Sequence, residues 1–95
     1  GLGDVYKRQL IDSSLAMSAG KAAAQVGHGS MLLAAAMSLE EVEHWAERDF
    51  LLSVREVSSE DFAQACAREG AVVVRDAGFT EVAPDSATVC AVRQP

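Results

Sequence analysis

Three side chains of this sequence have the types a hydrolytic site needs: the ammonium of Lys21, the carboxylate of Asp76 and the hydroxyl of Thr80. Lys21 lies in Gly20-Lys21-Ala22-Ala23-Ala24-Gln25-Val26-Gly27-His28, at the first turn of an Ala-rich helix. There its charge and the free N–H groups of the turn can draw an anion or a developing oxyanion. A lysine solvated at a helix start is the competing reading. Asp76 comes after the apolar run Val72-Val73-Val74 and Arg75, which puts it at the C-terminal end of a strand. Ligands of open α/β sheets gather at such ends, and a carboxylate there can orient a water or pair with Lys21. Asp76-Ala77-Gly78 is equally a turn in which the aspartate bonds its own backbone. Thr80 and Thr88 can add hydroxyls to the same pocket, although threonine is also an ordinary strand residue. Gln25 and His28 succeed Lys21 at i+4 and i+7 and share its helical stripe. His28 suits structural packing or substrate orientation better than general-base work, and His44, among Glu41, Glu43 and Glu47, reads as a surface residue.

Other chemistries find no support in the sequence. It has no P-loop, no GxGxxG, no GxSxG elbow and no Cys/His grouping at zinc spacing. No metal and no cofactor is therefore assigned. The net charge of −6 argues against a generic basic clamp on nucleic acid, because phosphate binding runs on clustered Lys and Arg. Cys66 and Cys90 are too few for a secreted disulfide scaffold and read as buried free thiols. No apolar run reaches membrane-span length and no signal segment is visible, so the expected compartment is the cytoplasm, with no membrane contact.

The elements that must position these residues fit one domain of 95 residues, with 49% hydrophobic content supplying a packed core. Such a core is small, and dimerisation is a natural support for it. Residues 1–9, GLGDVYKRQ, break the pattern of the remaining chain and resemble a translated adaptor leader. The domain is accordingly placed at 10–95, with a truncated first strand ending at Leu10-Ile11 and Val5 and Tyr6 standing in for its start. A loop leads to a helix over Lys21–Met37, whose Ala22, Val26, Leu33 and Met37 form an apolar face. Ala23, Gly27, Ser30 and Ala34 form an adjoining face of small residues suited to close packing on a sheet. Ser38-Leu39-Glu40-Glu41 is a capping box that starts a second helix. Next come a strand over Phe50–Val57, a helix capped by Ser58-Ser59-Glu60-Asp61 and running to Arg68, a buried strand over Ala71–Val74 and a last strand over Ala87–Val92. The expected fold is α/β, a three-layer α/β/α arrangement with a mixed four-stranded sheet flanked by helices.

Taken together, Met17-Ser18-Ala19-Gly20-Lys21 leading into AAAQVGH, VVRDAGFTEVAP over Val73–Pro84, and Ala87-Thr88-Val89 resemble the type 2 peptidyl-tRNA hydrolases along nearly the whole chain after the leader. The resemblance implies a mixed four-stranded sheet between helices, a homodimer, and hydrolysis of the ester between a peptide and the 3′-terminal ribose of tRNA without a cofactor. It implies Lys21, Asp76 and Thr80 as catalytic residues, with Asp76 orienting water directly or through Thr80 and Lys21 stabilising negative charge or holding the terminal phosphate. Gln25, His28 and Thr88 would then position the substrate. The sequence departs from the family where basic residues are common: Ala16, Ala19 and Phe79 stand there, and Pro84-Asp85-Ser86 replaces Pro-Gly-Thr. These changes thin the positive charge available to tRNA phosphates. Two rival readings stand beside this one, a relative acting on a smaller ester or amide and a non-catalytic binding module. Contact between Lys21 and Asp76 would weaken the second.

Overall fold

The computed structural model describes residues 6–76 and 81–94. Strand β1 (Tyr6–Asp12) leads through a short 3-10 turn (Ser13–Leu15) into helix α1 (Ala19–Ala35). Helix α2 (Leu39–Glu47), strand β2 (Ser53–Val57), helix α3 (Ser59–Cys66), strand β3 (Val72–Arg75) and strand β4 (Ala87–Gln94) complete the order. Each helix starts on a serine whose hydroxyl oxygen accepts a hydrogen bond from the N–H three residues on: Ser18 from Lys21, Ser38 from Glu41 and Ser58 from Asp61. Glu41 reaches back to the Ser38 N–H, completing the capping box that the sequence announces.

The four strands form one mixed sheet in the order β2-β1-β4-β3. β1 and β2 are parallel, and β4 runs antiparallel to both of its neighbours. Strands β2 and β3 point the same way yet stand at opposite edges, so the α3 connection between them crosses β1 and β4. The period-2 alternation of β4 divides the core. Val89 joins Ile11 and Val74 beneath Met17, Ala22 and Val26 on the α1 side. Cys90 and Val92 join Phe62 and Ala65 on the α3 side, with Leu10, Val57 and Cys66 packed around them. The sheet is thus covered on both faces, as the α/β expectation requires. Both cysteines are free: Cys90 is buried and Cys66 partly so. Burial pushes the Cys90 thiol up to about 12.

Several details differ from the sequence reading: α1 spans Ala19–Ala35 rather than Lys21–Met37, α3 ends at Cys66 rather than Arg68, and β3 is shifted by one residue from Ala71–Val74. Strand β2 begins at Ser53 rather than Phe50. Asp49 and Phe50 take consecutive left-handed conformations (φ 57° and 55°) that turn the chain off α2. The Phe50 N–H bonds back to the Trp45 carbonyl, and the Trp45 indole donates to the Leu51 carbonyl at 2.8 Å. Strand β4 runs on to Gln94. Residues Tyr6–Gln9, assigned by sequence to the leader, form the first part of β1, an interior strand between β2 and β4. Finally, of the small residues of α1, Gly29 is buried against Gln9 and Val74 of the sheet, while Ala23 and Gly27 are exposed. The buried stripe of α1 is Gln25, Gly29 and Leu33. The predicted apolar face is kept in part, with Ala22 and Val26 packed on the core and Leu33 fully buried, but the polar Gln25 shares the buried side and is not marked by apolar periodicity.

Candidate functional site

The site forms where the start of α1 meets the end of β3 and the start of β4. The Ser18 cap fixes the first turn of α1 and sets Lys21 at its third position. Asp76 comes directly after β3, and its backbone is pinned on both sides: its N–H donates to the Ser86 carbonyl at 3.0 Å, and its carbonyl accepts from the Asp85 N–H at 2.6 Å. Across this junction Lys21 Nζ donates to Asp76 Oδ1 at 2.6 Å. The pair is largely withdrawn from solvent, with side-chain exposures of 14% for Lys21 and 9% for Asp76. At that distance the contact is a charge-assisted hydrogen bond rather than a loose surface pair.

A second donor reaches the same carboxylate oxygen. Gln25 Nε2, one turn beyond Lys21, lies 3.2 Å from Asp76 Oδ1. Since the amide nitrogen is spent on Asp76, the amide oxygen faces inward and accepts the Thr88 hydroxyl at 2.7 Å. The Val74 carbonyl, at 3.3 Å from Thr88 Oγ1, is the longer alternative acceptor. The result is a directional chain, Thr88 to Gln25 to Asp76, in which each donor meets an acceptor. A buried network satisfied in this way holds its members in one geometry.

Thr88 reaches α1 because of an irregularity in the sheet. Val74 pairs with Val89, yet Arg75 pairs with Ala87, so one step along β3 spans two along β4. Thr88 is the extra residue of a β-bulge. Ala87 packs against the α3-side cluster while Val89 belongs to the α1-side cluster. Regular alternation from Val89 would aim Thr88 at α3; the bulge turns it toward Gln25.

Of the residues singled out by sequence, the structure brings Lys21, Asp76, Gln25 and Thr88 into one network. His28 is exposed on the next turn of α1 and, among the described residues, makes no hydrogen bond to that network. Thr80 lies outside the described residues. Among the described residues no group of three or more His, Cys, Asp or Glu side chains could hold a metal ion, and no helix is long and apolar enough to cross a membrane.

Sequence reasoning missed one pair. Glu81 accepts the Ser18 N–H on Oε1 at 2.7 Å and the Ser18 hydroxyl on Oε2 at 2.6 Å. These bonds hold the Glu81 carboxyl below the usual carboxylate range, with a smaller contribution from the nearby Lys21 charge. From the sequence this helix starts at Lys21 and Ser18 is not marked as its cap, and nothing local marks a glutamate 63 positions away as the partner of Ser18.

The family model described as Peptidyl-tRNA hydrolase PTH2 matches residues 8–95 of the chain. Members of this family hydrolyse an ester bond, that of peptidyl-tRNA. The match takes in β1 from Arg8 onward and every residue of the Lys21–Gln25–Asp76–Thr88 network, and the chain belongs to the peptidyl-tRNA hydrolase PTH2 family.

Proposed function

We propose that Lys21 and Asp76 form the centre at which this peptidyl-tRNA hydrolase cleaves the ester between peptide and tRNA. Asp76 orients the attacking water, directly or through Thr80, and the Lys21 ammonium stabilises the negative charge that grows on the ester oxygen. Gln25 and Thr88 keep the carboxylate aimed, and exposed His28 is left to contact substrate. The observation that carries this reading is the 2.6 Å contact between Lys21 and Asp76, withdrawn from solvent and backed by a second buried donor. Withdrawing an ion pair from water is a poor way to stabilise a fold, since the desolvation cost rivals the attraction. A pair placed at the C-terminal end of a strand, beside a helix N-terminus, is better explained by chemistry than by stability. The same contact favours an enzyme over a non-catalytic binding module.

The substrate partner is peptidyl-tRNA, the compartment the cytoplasm and the assembly a homodimer. Exposed apolar side chains at Met31, Leu32, Phe50 and Leu51 support self-association of so small a domain. With a net charge of −6, tRNA binding is expected to be weak and to rest on few phosphate contacts.

The test is release of an N-blocked amino acid from tRNA by the wild type, Asp76→Asn and Lys21→Ala, each at low and physiological salt. Both substitutions are expected to lower kcat by about a hundredfold or more while the variants stay folded. Full activity in either folded variant would remove that residue from the centre.

A further inference from the structure

Asp76 and Glu81 each bond to the first turns of α1. Asp76 is held by Lys21 and Gln25. The two carboxylate oxygens of Glu81 take both polar hydrogens of Ser18, the residue that caps α1. Ser18 in turn accepts the Lys21 N–H at 3.2 Å, so the hydrogen-bonded path from Glu81 runs through the cap to the backbone of the lysine. Thr80 immediately precedes Glu81 in the sequence.

We infer that Glu81 is a positioning residue for the hydrolytic centre: its two-pronged bond to Ser18 fixes the cap of α1 and, through the Ser18–Lys21 bond, the turn that carries Lys21. The inference rests on the hydrolytic reading of Lys21 and Asp76. A single acceptor would let Ser18 pivot about one bond; two acceptors on its N–H and O–H define both distance and direction. The bonds from Ser18 also hold the Glu81 carboxyl below its ordinary range, so the carboxylate is ionised at neutral pH. Both residues are exposed, so the clamp adds little to global stability, and its effect falls on geometry. Small misplacements of reacting groups are costly: shifts of about 1 Å can lower a rate about a hundredfold.

A competing assignment gives the opposite sign. A carboxylate at a helix N-terminus also occupies ground that an anionic substrate group could use. If Glu81 acted as such a competitor, its removal would lower KM and leave kcat intact.

The experiment compares wild type, Glu81→Gln and Glu81→Ala by kcat and KM on N-blocked aminoacyl-tRNA, by melting temperature, and by amide exchange at Ser18. Glu81→Ala is expected to lower kcat about tenfold or more, to change KM less than about threefold and to leave the melting temperature near that of wild type. Glu81→Gln keeps one acceptor and is expected to fall between the two. Exchange of the Ser18 N–H is expected to speed up in Glu81→Ala. Unchanged kcat in Glu81→Ala, a fall in KM, a kcat loss that tracks a drop in melting temperature, or unaltered Ser18 exchange would each overturn the inference. A wild type that folds but does not turn over would count against the hydrolytic reading instead, and the Ser18 exchange would still decide whether the clamp exists.

Discussion

One face of the sheet, the one under α1, holds buried polar groups in two places and treats them differently. Near the start of α1, Gln25 and Thr88 are buried and each has its partner, in a chain that ends on Asp76. One turn further along, α1 crosses the first half of β1, where Lys7, Gln9 and Ile11 face the same side. Gln9 is fully buried and donates to Ser30 Oγ at 2.8 Å, but its side-chain oxygen is buried without a partner among the described residues. On the neighbouring residue, Arg8 Nε is also buried without one among those residues. An interior strand ordinarily carries apolar residues on both faces, and Lys7-Arg8-Gln9 does not. Polar burial alone therefore does not mark a site. What distinguishes the Asp76 end is that its donors and acceptors are matched in direction.

Breaking the matched region has the larger effect. Thr88→Val keeps the shape and removes the donor, leaving the Gln25 amide oxygen buried and unsatisfied. A stability loss of about 1–3 kcal/mol is expected in urea unfolding, with kcat falling about tenfold as Asp76 loses its support. A variant as stable and active as wild type would show that the Thr88–Gln25 bond supports neither fold nor catalysis.

Repairing the unmatched region has the opposite sign. Gln9→Val removes a buried acceptor that has no donor among the described residues and fills the space with a strand-forming side chain. A gain of about 1 kcal/mol with unchanged kcat is expected. The same substitution sharpens the role of Gly29, since a Cβ there would lie 2.4 Å from the Gln9 side-chain oxygen. Lys7 supplies a pH-dependent version of the comparison. Burial pulls its ammonium below the ordinary value of 10.5, so folding disfavours the charged form. The unfolded chain holds that proton more tightly, so stability rises with pH between the lowered folded value and 10.5. Lys7→Met is expected to lose this rise, which unfolding midpoints measured across alkaline pH would reveal. The smallest effect belongs to Asp85, whose φ of 64° is left-handed, a conformation that glycine adopts without strain. Asp85→Gly is expected to change stability by no more than about 0.5 kcal/mol in the favourable direction.

Much of the architecture is legible from residue types alone. The serine caps, the Ala-rich helix and the β-rich runs specify the order of elements, and Lys21, Gln25, Asp76 and Thr88 are identifiable by type. Their convergence depends on features without a local signature. The bulge at Thr88 is a property of pairing between two strands, and threonine reads the same in or out of it. Gln25 is a polar residue on the buried side of α1, so hydrophobic periodicity, which finds Ala22, Val26 and Leu33, passes it over. Glu81 and Ser18 meet only after the sheet has closed. The delay of β2 to Ser53 arises from two non-glycine residues in left-handed conformations, which residue type alone does not foretell.

Strands β1 and β4 pair along their lengths, with Tyr6 opposite Gln94, so the two ends of the described chain are neighbours in the middle of the sheet. Joining those ends by a short turn and opening the chain at the exposed Glu69–Gly70 turn would preserve every strand pairing while converting the most distant of them in sequence into a local hairpin. In the natural connectivity that pairing waits until all the intervening elements have been gathered. The loop-closure entropy of the fold is concentrated in this seam, and the hydrolytic network is assembled beside its C-terminal strand.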